Sequence, residues 1–150
     1  MGTRSRIGIY NQDGTITSIY CHFDGYLSHN GRILVDHYKD EGKIRQLVAL
    51  GDLSCLGPEI GEQHPFDHPF QWGSPEYEQT RHWCLVYGRD RGETNVDARV
   101  SVNAMAFEKL YQEYNYIWLM GRWLVSYWGT DGSWNLVEEE LALELAQQDD

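Results

Sequence analysis

Tyr20-Cys21-His22-Phe23-Asp24 sets a thiol, an imidazole and a carboxylate close together in the chain, the materials of nucleophilic or acid–base chemistry. Strand geometry limits what such neighbours can do. Successive side chains of a strand point to opposite faces, so Cys21 and His22 diverge while His22 and Asp24 share a face. A Cys21–His22 couple is geometrically disfavoured, and an oriented His22–Asp24 pair is the chemistry this segment allows. The plainer alternative carries more weight: Asp24 opens an Asp24-Gly25 turn and His22 is a half-exposed strand residue.

His64, Asp67 and His68 are the best candidate metal ligands. Histidines at i, i+4 converge on one ion when they lie on a helix, and Pro65 and Pro69 oppose a helix here. No further ligand stands at a recognised spacing, and His29 or His82 would join only through the fold. The expectation is a Pro- and His-rich surface loop, with no metal and no cofactor. Arg89-Asp90-Arg91-Gly92-Glu93 is the concentrated basic feature. Arg89 and Arg91 would fork around a phosphate or carboxylate, although Asp90 and Glu93 offer local ion pairs as the simpler account. The chain has no Gly-rich phosphate loop, G-x-S-x-G elbow or H-E-x-x-H helix. Trp118, Trp123, Tyr127, Trp128 and Trp134 are mostly core material. A ribbon with alternating aromatics nevertheless presents some of them on its second face, an interaction surface wherever no helix covers it.

Charge narrows the partners. The net charge of −11 is unevenly placed, with seven acids and no Lys or Arg in residues 131–150 against 16 acids and 12 bases elsewhere. Nucleic-acid binding normally needs the opposite sign, so no direct nucleic-acid contact is expected. An acidic chain can seek basic protein surfaces, or its charge merely keeps it soluble, the weightier reading. The 150 residues suit a single domain, 1–150, and 13% aromatic content argues against disorder. The apolar stretches at 116–120 and 123–125 fall far short of the ~18–20 residues of a membrane helix, and no secretion signal opens the chain. Cys21, Cys55 and Cys84 are odd in number and scattered, which suits a reducing cytoplasm.

The elements that must position these residues follow from periodicity. Alternating runs at 6–10 and 15–23 flank Gln12-Asp13-Gly14 and predict a hairpin. Ser28 or Asn30 would cap a helix to about Tyr38, and Asp40 opens a second helix with Ile44, Leu47 and Val48 on one face and Gly51 as its stop. Residues 56–80 hold all four prolines and read as a long ordered loop. A strand at 82–87, a loop at 89–95, a short helix near 103–111 and a second hairpin at 116–120 and 123–128 follow. Asn135 with Glu138 has capping-box spacing, and Val137, Leu141 and Leu145 define a final amphipathic helix. The expected architecture is α+β, an antiparallel sheet built from two hairpins with helices packed on one face.

Met1-Gly2-Thr3-Arg4-Ser5 and Tyr20-Cys21-His22-Phe23-Asp24-Gly25-Tyr26, followed by Gly31 and Leu34, resemble a family of small, mostly uncharacterised proteins of bacteriophages and some bacteria. Its members begin Gly-Thr-Arg-Ser or Gly-Thr-Arg-His and carry an aromatic-Asp-Gly-Tyr motif after the second strand. Phe23 stands where they usually have Trp. The likeness covers the first third of the chain and extends to 83–95. It implies a phage-type accessory protein without specifying a reaction, and it groups Arg4, Asp24 and Tyr26 in one cluster. Arg4 opens the first strand and Asp24 closes its partner, so an Arg4–Asp24 ion pair would lock that end.

The favoured expectation is an accessory protein that binds and modulates a host protein or complex in the host cytoplasm, such as an anti-defence or anti-CRISPR inhibitor. Its binding residues would be Arg4, His22, Asp24, Tyr26, Arg89, Arg91 and the acidic helix residues Glu138, Glu139 and Glu140. The alternative is a small enzyme acting on a nucleotide or other phosphorylated metabolite through Arg4, His22 and Asp24. A homodimer closed over the aromatic hairpin is the third reading.

Overall fold

The computed structural model describes residues 2–66 and 70–148. β1 (Ser5–Tyr10) and β2 (Ile16–Cys21) form the expected first hairpin. Its turn is closed by Asp13, whose carboxylate accepts from the Thr15 amide and hydroxyl, and by Gly14 at φ 89°. The chain then passes through a π-helical turn (Leu27–Gly31) into α1 (Arg32–His37) and α2 (Glu41–Ala49). The Asp40 carboxylate caps α2 by accepting from the Lys43 amide. Neither Ser28 nor Asn30 caps α1. Asn30 is buried and donates instead to the Ser5 hydroxyl, 3.1 Å away.

β3 (Leu53–Cys55), α3 (Pro75–Thr80), β4 (Leu85–Val86), α4 (Tyr87–Arg91), β5 (Arg99–Ser101) and α5 (Ala104–Glu108) follow. Three of these revise the sequence reading. Ser74 with Pro75 starts a helix inside the expected 56–80 loop, the expected strand at 82–87 shrinks to Leu85–Val86, and 87–91 is helical. β6 (Tyr114–Leu119) and β7 (Arg122–Tyr127) make the second hairpin, its turn taken by Met120 and Gly121, both at positive φ. β8 (Asn135–Leu136) leads directly into α6 (Val137–Gln148), so Asn135 lies in a strand rather than in a capping box. No described helix is long and apolar enough to cross a membrane.

The class is α+β, but the sheet is mixed and not purely antiparallel. Its order is β4-β3-β2-β1-β6-β7-β8, with β5 also on β2. Both hairpins are present, joined through parallel pairing of β1 with β6, and β2 pairs parallel with β3. The reason is connectivity: the return through α1 and α2 is a helical crossover, which brings the next strand in parallel.

Helices also occupy both faces rather than one. Ile7, Ile9, Ile19, Tyr116 and Val125 share a face with α1, α2 and α6, which contribute Leu34, Ile44, Leu47, Val137 and Leu141 to the main core. Ile16 and Ile117 project from the opposite face and meet Phe107 of α5 in a smaller cluster. The large buried aromatics keep their polar atoms bonded. Trp123 donates to the Tyr38 carbonyl at 2.9 Å, and Tyr38 donates to the Gly57 carbonyl at 2.7 Å.

Candidate functional site

The resemblance motif folds into a packing knot at one end of the first hairpin. Gly25 donates to the Thr3 carbonyl at 2.7 Å, and the Tyr116 hydroxyl donates to the Gly25 carbonyl at 2.6 Å. Asp24 turns the chain at φ 57°, which ends the strand alternation before it reaches Asp24. No ion pair therefore joins Asp24 to Arg4 or to His22 among the described residues. His22 Nδ1 instead meets the Tyr20 hydroxyl at 2.7 Å, and Arg4 is exposed. Cys21 is fully buried, and burial pushes its thiol up to about 12, so it is no nucleophile at neutral pH.

The basic cluster is divided in the same way. Arg89 forks onto the fully buried Asp90 carboxylate through Nε at 2.9 Å and Nη2 at 3.1 Å, and also donates to the Ile60 and Cys84 carbonyls. Asp90 further accepts from the Val86 and His64 amides. This pair fastens the 56–66 loop to β4 and α4. Arg91 lies apart, over the Phe66 ring and beside Glu93, so the two arginines form no fork. His64 is buried, Asp67 and His68 lie outside the described residues, and no group of metal-ligating side chains occurs among those described.

Glu138, Glu139 and Glu140 do not present one acidic face. Consecutive helical positions diverge by about 100°, and Glu140 turns inward while Glu138 and Glu139 stay exposed. Leu145, expected in the core, is exposed, as is Leu143.

A cleft of about 590 Å³ opens where β1 and β6 begin and β7 ends. The register explains it: Ser5 lies beside Tyr114 and Tyr114 opposite Tyr127, so residues just outside those strands meet at one edge. Thr3 and Tyr26 come from the N-terminal motif, Tyr111, Glu113 and Tyr114 from the approach to β6, and Tyr127 and Trp128 from the exit of β7. A second hollow of about 500 Å³ shares Tyr114, Tyr127 and Trp128 as its wall and runs along α6 past Glu140, Leu143 and Glu144.

The wall is rigid. The Tyr114 and Tyr127 rings stack with centroids 4.9 Å apart, and Trp128 meets Tyr127 edge-on at 5.8 Å. A Cβ on Gly129 would lie 2.6 Å from the Tyr127 ring, so only glycine permits this approach. Asn115 pins the floor by donating to the Gln112 and Ser126 carbonyls and accepting from the Gln112 amide. Burial and the neighbouring Glu140 together hold the Tyr127 phenol well above its ordinary pKa. Trp128 is 83% exposed at the rim. No Lys or Arg lines either hollow among the described residues.

Of the residues singled out from sequence, Tyr26, Tyr127, Trp128 and Glu140 meet at this edge. Arg89 and Arg91 belong elsewhere. Sequence reading singled out neither Thr3, whose signal was its place in the Gly2-Thr3-Arg4-Ser5 motif, nor Tyr111, Glu113 and Tyr114, whose signal was the density of aromatics at the start of β6. A smaller apolar hollow of about 200 Å³ lies on the opposite sheet face among Ile16, Phe107, Ile117 and Trp134. The chain matches no family model, no curated protein and no solved structure.

Proposed function

We propose that this chain is a phage-type accessory protein that modulates a host protein or complex by surface binding, with the aromatic cleft as its docking face. An anti-defence or anti-CRISPR inhibitor working in the host cytoplasm is the form this takes. One observation carries the reading: a largely exposed Trp128 stands at the rim of a 590 Å³ cleft whose wall is the stacked Tyr114–Tyr127 pair. Rigid Trp and Tyr side chains lose little conformational freedom on binding and are enriched at interface hot spots. Thr3 and Tyr26, from the two segments that carry the phage-family resemblance, help to line that cleft. The enzymatic alternative draws less support, because His22 faces Tyr20, Cys21 is buried and protonated, and Arg89 is committed to Asp90.

The test is capture from a nuclease-treated bacterial lysate, comparing the wild-type chain with Trp128→Ala and Tyr26→Ala. A stoichiometric host protein retained by the wild type and lost by both variants supports the reading. Retention by both variants, with circular dichroism matching the wild type, moves the docking face elsewhere.

A further inference from the structure

We infer that the group received in this cleft is the guanidinium of an arginine side chain presented by the partner, an inference that rests on the docking reading above. Two features of the edge combine to select it. Aromatic rings offer π faces, and the carboxylates beside them have no basic partner among the described residues.

Glu113 lines the first hollow, while Glu140 and Glu144 line the second. None of the three takes part in an ion pair among the described residues. Burial pushes the Tyr114 phenol up, a hydrogen bond with Trp128 opposes this, and Glu144 and Glu113 add smaller upward contributions. Glu140 is buried, with both oxygens accepting, from Tyr127 at 2.8 Å and Asn135 at 3.1 Å, so it supplies fixed negative charge rather than a contact. Glu113 is exposed and Glu144 half-buried, which leaves them the carboxylates available to a ligand.

An anion entering this edge would meet like charge with no compensating base among the described residues, and a neutral apolar group would strand those carboxylates. A cation gains from both. Within ~6 Å of a ring centroid it is attracted by the ring's quadrupole. Guanidinium fits better than ammonium because it is planar, stacks on an indole face and still directs edge N–H groups at a carboxylate. Trp128 provides such a face, and Glu113 and Glu144 flank the wall to which it belongs.

The probe is a capped Gly-Arg-Gly-Arg-Gly peptide, titrated into the full chain against its citrulline counterpart, which keeps the shape and removes the charge. Tryptophan fluorescence and NMR shifts report binding. The arginine peptide is expected to bind at least tenfold tighter than the citrulline peptide and to weaken several-fold in Glu144→Gln, Glu113→Gln and Trp128→Ala. Melting temperature and far-ultraviolet circular dichroism verify that each variant is folded, and the two glutamine variants preserve the test if Trp128→Ala unfolds.

Equal binding of the two peptides, or binding by neither, overturns the arginine assignment. That failure is separable from failure of the docking reading. If Trp128→Ala loses the captured host protein while the peptides are not distinguished, the docking face stands and its cation specificity falls. If the arginine peptide binds as tightly to Glu144→Gln and Glu113→Gln as to the wild type, the site lies elsewhere on the chain.

Discussion

The Tyr127 hydroxyl donates a 2.8 Å hydrogen bond to Glu140, and this bond joins the aromatic wall of the cleft to the first turn of α6. Asn135 donates to the other oxygen of the same carboxylate. Glu140→Ala removes the acceptor of two donors in one step and should cost about 1–3 kcal/mol of stability. Tyr127→Phe should cost less, and the double variant less than the sum, because both mutations remove the same bond. Urea denaturation of the four proteins measures the coupling. Strict additivity would show that the bond contributes nothing.

Four hydrogen bonds converge on the Asp90 carboxylate. It is fully buried and holds the Arg89 guanidinium, whose side chain is 16% exposed. Asp90→Ala leaves that cation without its counter-charge and frees the Val86 and His64 amides, so a loss of about 3–5 kcal/mol is expected. Asp90→Asn restores some hydrogen bonding but not the charge and should fall between. Hydrogen exchange should rise first at Glu59–His64, the loop that Arg89 and Asp90 hold. Uniform exchange across the chain in Asp90→Ala would contradict a local staple.

Alkaline pH should unfold the protein. Burial raises the Cys21 thiol from 9.0 to about 12 and raises the Tyr38 and Tyr116 phenols as well. The unfolded chain loses these protons first, so the native state binds more of them and stability falls as pH rises. The contribution of Cys21 is full below about pH 9, where the unfolded thiol begins to ionise, and is gone by about 12. Melting temperature should be flat with respect to these groups from pH 7 to 8 and drop steeply above 9. The same burial predicts that Cys21 resists alkylation in the native state at pH 8 and reacts fully in urea.

Gly25→Ala tests the packing knot. A Cβ there would lie 2.6 Å from the Ser5 Cβ and 2.8 Å from the Thr3 carbonyl, and one of these is backbone that cannot swing away. The strand start must shift, at a cost of about 1–3 kcal/mol. Because Thr3 and Tyr26 line the cleft on either side of this contact, the variant should also lose affinity for the host protein. Wild-type stability in Gly25→Ala would mean that the knot is looser than its distances indicate.

What could be read in advance was local. Asp13-Gly14 between alternating runs and Asp40 before an amphipathic stretch signal their structures within a few residues, and the hairpin and the helix opened by Asp40 are present. The short helix expected near 103–111 is present as Ala104–Glu108, capped by Asn103. Pairings between distant segments leave no such trace. β3 and β5 span three residues each, too short for a periodic pattern, and their place depends on β2. The local ion pairs offered by Asp90 and Glu93 were legible and are present, as Arg89–Asp90 and Arg91–Glu93, whereas the further bonds of Arg89 to the Ile60 and Cys84 carbonyls come from distant segments and left no trace in the sequence. The cleft was the least legible feature, since its walls come from four separated stretches that the β1–β6 and β6–β7 pairings and the Gly25–Thr3 bond bring together.

That pairing also sets the order of events in folding. β1 lies between β2 and β6, and the register that seats Ser5 beside Tyr114 spans most of the chain. During synthesis the first hairpin can close early, but one edge of its first strand stays open until the second hairpin emerges from the ribosome. A long interval between making a strand and completing its partner is the signature of high contact order and slow folding. In that interval an unpaired edge bearing Ile7 and Ile9 is a template for other chains. Fragments that stop before residue 114 are therefore expected to aggregate, and the intact chain to acquire protease resistance only after β6 and β7 have been released.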